Sequence, residues 1–147
     1  MNYFDLHCDT AYEMYTQKLP LAQNTLAVDL DGFDAYDRKA QIFAVWSENT
    51  KSAGDVYGDF FAILDYLKEQ IARNEDRAVL CTDRETLVSD DRRLKVIPSV
   101  EGSRLIENDL DRLDILREHG VRVLTLAWGG ECAVCGAYDT DIGLTDF

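Results

Sequence analysis

Two stretches constrain the fold of this chain more than anything else in it. Residues 40–46 and 94–100 are near-continuous apolar runs, with Ile42, Phe43, Ala44, Val45 and Trp46 in the first and Leu94, Val96, Ile97 and Val100 in the second. A strand covered on one face alternates apolar and polar side chains. A strand covered on both faces, as in a parallel sheet flanked by helices, reads as an unbroken apolar run. Between the two lies a helix-forming stretch. Residues 56–74 carry Phe60, Ile63, Leu64, Leu67 and Ile71 at spacings of three and four, one stripe for a core to cover, with Asp55 placed to cap the first turn.

The rest of the chain keeps this alternation. Residues 2–6 read as the end of a buried strand, and 10–17 as a short helix opened by Thr10 and stopped before Pro20. Residues 20–39 are polar and turn-rich. Residues 78–81 form a short strand, and Thr82 to Glu85 have a capping-box pattern that starts a brief helix. A helix over 105–119 turns Ile106, Leu110, Leu113 and Leu116 inward and ends at Gly120, residues 121–127 make a last strand, and the chain is loop-like from Trp128. Strands alternating with helices predict an α/β fold built on a parallel sheet of βα units, in one domain over residues 1–147. That length suffices for a real core but not for a complete eight-stranded barrel, which takes about 250 residues.

A net charge of −13 argues against partners that are themselves anionic, nucleic acid and acidic membrane surfaces. The first five residues have no basic segment followed by an apolar run, and no stretch approaches the roughly 18 apolar residues of a membrane span. A cytoplasmic protein is expected, with Cys8, Cys81, Cys132 and Cys135 as reduced thiols.

The chemistry-bearing residues gather where predicted strands end. His7 and Asp9 sit two apart just after the first strand, so in extended backbone both point to one side, and an imidazole with a carboxylate suits zinc. Asp5 shares their parity and is placed to orient the imidazole. Glu101 follows the strand over 94–100, with Gly102 allowing close backbone approach, and its carboxylate could bridge two ions. Three other patterns compete. Val28-Asp29-Leu30-Asp31-Gly32 resembles the Asp-x-Asp-Gly of haloacid-dehalogenase-type phosphatases, whose first aspartate is a nucleophile that works with Mg²⁺. The apolar run before it is only about four residues long, and no lysine-bearing loop of that family's kind follows. Cys132 and Cys135 form a lone Cys-x-x-Cys in a loop, and His119, near a helix end, is expected to meet the last carbonyls.

Phe4-Asp5-Leu6-His7-Cys8-Asp9-Thr10, Val100-Glu101-Gly102 and Val121-Arg122-Val123-Leu124-Thr125-Leu126, with Gly143-Leu144-Thr145 near the end, together resemble the zinc dipeptidases of the membrane (renal) dipeptidase family. The resemblance implies the amino-terminal half of a (β/α)8 TIM-type barrel and hydrolysis of dipeptides at a centre of two zinc ions, some members accepting a D-residue at the second position. It assigns His7 and Asp9 to one zinc and makes Glu101 the bridging, catalytic carboxylate. It places further histidine ligands, an arginine for the substrate carboxylate and a late acid-base aspartate in the barrel's second half. This sequence halts before them, so weak zinc binding and little turnover alone are expected, with a missing carboxy-terminal half or a homo-oligomer as partner. A truncated, non-catalytic half-barrel is the alternative. Many members carry a substrate-contacting histidine just after the Thr-Leu strand. Here Trp128 stands there, as a plain loop aromatic or a substrate contact in an altered pocket.

Overall fold

The computed structural model describes residues 1–48, 51–107 and 109–147. Its strands are β1 (Asn2–Asp5), β2 (Arg38–Val45), β3 (Ala78–Leu80), β4 (Leu94–Glu101) and β5 (Val123–Thr125). The helices are α1 (Thr10–Gln17), α2 (Ala53–Arg73), α3 (Arg84–Val88) and α4 (Asp111–Glu118), with 3₁₀ turns at Asp31–Phe33 and Ser103–Ile106.

The pairings among these five strands are parallel, and β4 is the centre. Its one edge carries β2, with β1 beyond. Its other edge is shared end to end, by β3 against Leu94–Val96 and by β5 against Ser99–Glu101. The two apolar runs are β2 and β4, and both are buried. Phe43, Val45, Val96 and Val100 face α2, whose stripe of Phe60, Ile63, Leu64, Leu67 and Ile71 is wholly covered and makes the main core. Ala40, Ile42 and Ile97 form a smaller cluster with Cys81 on the opposite face. The polar side chains inside both strands find partners, the Gln41 amide donating to the Ile42 carbonyl and Lys95 Nζ to the Ser89 carbonyl.

Several boundaries move for local reasons. Ser52, not Asp55, caps α2, its Oγ accepting from the Asp55 N–H at 3.2 Å, so the helix starts three residues earlier than expected. Asp83, not Thr82, caps α3 by accepting from the Thr86 N–H at 2.7 Å. β1 is not buried, because β2 is its only neighbour among the described residues and Phe4 lies exposed. The helix expected over 105–119 is broken. Glu107 adopts φ +45°, and the Asp109 carboxylate accepts from the Asp111 N–H, a local bond that competes with helix and delays α4 to Asp111. Ile106 and Leu116 are buried as expected, whereas Leu110 and Leu113 face outward. The His119 ring packs edge-on against Phe61 at 4.8 Å rather than on the helix-end carbonyls. The last strand shortens to three residues, and the loop after Trp128 contains paired segments, with bridges Glu131 to Gly136 and Cys135 to Leu144.

Candidate metal centre

The path from β1 to α1 sets up the site. Asp5 stands opposite Gln41, and Cys8 stands opposite Phe43, since the Cys8 N–H donates to the Ile42 carbonyl and the Ala44 N–H to the Cys8 carbonyl. Leu6 and His7 therefore face the single residue Ile42, a β-bulge that changes which face the chain presents. Asp5 stays on the face of Tyr3 and Gln41, accepting from Tyr3 Oη at 3.0 Å, and Cys8 enters the helix-side core. The expected shared parity of Asp5 with His7 fails for this reason. Asp5 holds the His7 main chain instead, its Oδ1 accepting from the His7 N–H at 2.9 Å. This bond and those from Tyr3 and Gln41 hold its carboxyl below the usual carboxylate range, against the opposing effect of burial.

Asp9, rather than Thr10, occupies the N-cap position of α1, yet its side chain makes no capping bond. It turns to His7, with 3.4 Å between Oδ1 and Nε2. Glu101 ends β4 and brings Oε2 to 3.7 Å from the same nitrogen. Gly102 follows at φ +88°, a conformation that side-chain-bearing residues rarely adopt, and it lies against Trp128. One donor atom from each of His7, Asp9 and Glu101 falls within 4.8 Å of the others. Donors about 2.1 Å from a tetrahedral ion stand about 3.4 Å apart, close to the 3.4 and 3.7 Å that separate His7 from the two carboxylates. The His7 and Asp9 side chains are 44% and 54% exposed and Glu101 only 12%, so the trio opens outward from a sheltered carboxylate. Burial pushes the Glu101 carboxyl up, His7 draws it down and Asp9 raises it again.

Beside Glu101 lies a cavity of about 20 Å³, walled by Trp46, Phe60, Arg104 and Trp128 among others. Tyr12 stacks on Trp46 at 4.0 Å, and Trp46 meets Trp128 at 5.2 Å, so an aromatic row borders the trio. Sequence reasoning missed Trp46. It closes an apolar run and looks like a core residue until the fold sets it beside Trp128. The rival aspartates do not join the trio. Asp29 accepts from the Asn24 and Gly32 N–H groups and holds the 20–39 segment together, and Asp31 pairs with Arg77 and ties that segment to the start of β3.

Residues 1–142 match the family described as membrane dipeptidase, peptidase family M19. The chain belongs to this family. No curated protein sequence matches it. Among solved structures, dipeptidase AC, a metallopeptidase of family M19, aligns with a TM-score of 0.79 at 19% identity, over 99% of this chain and 52% of its own. A metallopeptidase from Rhodobacter sphaeroides, liganded with a phosphinate mimic of L-Ala-D-Ala, aligns with a TM-score of 0.80 at 19% identity, over 99% and 53%. The probable dipeptidase PvdM from Pseudomonas aeruginosa gives 0.78 at 12% identity, over 92% and 37%. The chain thus has the parallel half-barrel of the M19 dipeptidases, and it spans about half the length of the first two structures. Among the described residues no helix is long and apolar enough to cross a membrane.

Proposed function

We propose that this chain carries the amino-terminal part of the active site of a zinc-dependent dipeptidase. The convergence of His7, Asp9 and Glu101 on one point is the observation that carries the reading. The donor set, one imidazole and two carboxylates, suits zinc. His7 and Asp9 would hold one ion, and Glu101, reaching the same point from the central strand, would bridge to a second. Zinc so held supplies polarisation of the substrate carbonyl and a water that ionises near neutral pH.

The chain's own residues do the rest. The bulge fixes the His7 backbone through Asp5, so the imidazole enters the site from a constrained strand end. Glu101, largely sheltered, brings a negative charge that burial resists and a cation would relieve. Trp46 and Trp128 line the cavity beside Glu101, which supports a role for Trp128 as a contact for the substrate. The substrate class is a dipeptide, in keeping with the family and with the L-Ala-D-Ala mimic bound by the Rhodobacter sphaeroides protein. β1 and β5 each have one strand neighbour among the described residues, so a completing half-barrel or a second copy is the expected partner. Four free thiols favour a reducing, cytoplasmic setting.

The test is hydrolysis of L-Ala-D-Ala and of L-dipeptides by the chain alone and by the chain joined to the carboxy-terminal half of an M19 relative. The expected result is turnover in the joined form, lost with chelator and with His7→Ala. Turnover indifferent to chelator would contradict the reading, as would Mg²⁺-dependent phosphate release that survives His7→Ala. Zinc binding without turnover in either form would leave a non-catalytic half-barrel.

A further inference from the structure

The hairpin after Trp128 holds a second reactive group, independent of the metal centre. Glu131 and Gly136 face each other across an antiparallel bridge, and the Cys132 N–H donates to the Cys135 carbonyl at 2.9 Å. Cys132 and Cys135 are therefore directly opposed across the two-residue turn Ala133 and Val134. Directly opposed antiparallel residues have Cα atoms about 4.5–5.5 Å apart with side chains on one face, within the span a disulfide bridges. Both thiols are free, Cys132 buried and Cys135 half-buried. The turn is anchored to the segment after β4 and to residues near the end of the chain, the Val134 N–H donating to Ser103 Oγ and Thr145 Oγ1 donating to the Ala133 carbonyl.

We propose that Cys132 and Cys135 form a dithiol that closes to an intramolecular disulfide by exchange with a small-molecule disulfide. Cys135, the accessible thiol, gives up its proton and attacks one sulfur of the incoming disulfide, forming a mixed disulfide and releasing one small thiol. Cys132 then gives up its proton and attacks Cys135 Sγ, and the second small thiol departs. Two protein S–H bonds are oxidised to one S–S bond, the small disulfide is reduced to two thiols, and the two protons leave on them. The other two cysteines are poor competitors. Cys8 and Cys81 are both buried, Cys8 in the helix-side core and Cys81 in the cluster on the opposite face of the sheet, each away from the other and from the hairpin.

The experiment is equilibration of the folded chain in glutathione redox buffers, alkylation of the remaining thiols, and mass analysis after cleavage at lysine and arginine. Cleavage after Arg122 releases Cys132 and Cys135 in one peptide, separate from those carrying Cys8 and Cys81. The expected result is a peptide of residues 123–147 lighter by two hydrogen atoms and without alkylation, with Cys8 and Cys81 labelled once the chain is unfolded. Cys132→Ser should instead leave a lasting glutathione adduct on Cys135. A wild-type peptide that stays doubly alkylated across the buffer series, or that stops at the glutathione adduct, would overturn the proposal.

Discussion

Glu101 carries a charge into a place that resists it, and that tension makes the residue testable. Its carboxyl is raised chiefly by burial, so folding makes the protonated form easier to hold than it is in the unfolded chain. Stability should therefore decline as pH rises through the ordinary carboxylate range toward the raised value. In chelator, Glu101→Gln should remove that decline and leave the variant at least as stable as wild type at neutral pH, read from denaturant midpoints. With zinc saturating, the order should reverse, because the carboxylate then has its cation. Asp5 behaves oppositely. Its carboxyl is held low, chiefly by the His7 N–H, so its contribution is complete above the unfolded value and is lost as pH falls through the lowered one. Asp5→Ala should cost about 1.5–3 kcal/mol, the range for a hydrogen bond to a charged group, and should weaken zinc binding by freeing the His7 backbone. Asp5→Asn keeps an acceptor and should cost much less, which paired denaturant curves will show. The closeness of His7, Asp9 and Glu101 was expected from their places at strand ends together with the family resemblance, and the fold brings the three donor atoms together. The role of Asp5 was not, because the bulge that turns it away is defined by register with β2, 36 residues along the chain from Asp5 to Gln41.

α2 is the element whose stripe was plainest in the sequence, and its energetics follow from it. Leu67 is wholly buried against the sheet, so Leu67→Ala should cost about 2–5 kcal/mol through lost burial and the cavity left behind. Ser52→Ala removes only a cap and should cost about 1 kcal/mol. Chemical denaturation of the two variants gives both values, and equal losses would mean that α2 is held by its end rather than its face. α4 shows the opposite case. Leu110 and Leu113 have helical spacing, yet both face outward, because the Asp109 bond and the Glu107 backbone restart the helix at Asp111 and shift its phase. Periodicity alone cannot report such a restart, since a side chain that captures its own backbone leaves the apolar spacing unchanged.

At the scale of the whole molecule, strand–helix alternation fixed the parallel sheet but not its order. β3 and β5 share one edge of β4, an arrangement decided by how short both strands are rather than by their place in the chain. The excess of 28 acidic over 15 basic residues pervades this half-barrel. Raising salt from low to physiological strength should raise its thermal midpoint by screening self-repulsion, and a flat or falling midpoint would mean that ion pairs such as Arg77 with Asp31 and Asp34 dominate instead. The proposed metal centre is open to a direct measurement, because the chain has only two histidines. In a zinc titration followed by nitrogen NMR of the imidazoles, the His7 ring should shift while His119 stays still, and Glu101→Ala should weaken the response at least tenfold. An unmoved His7 ring, or a response indifferent to the loss of Glu101, would contradict a metal centre built from His7, Asp9 and Glu101.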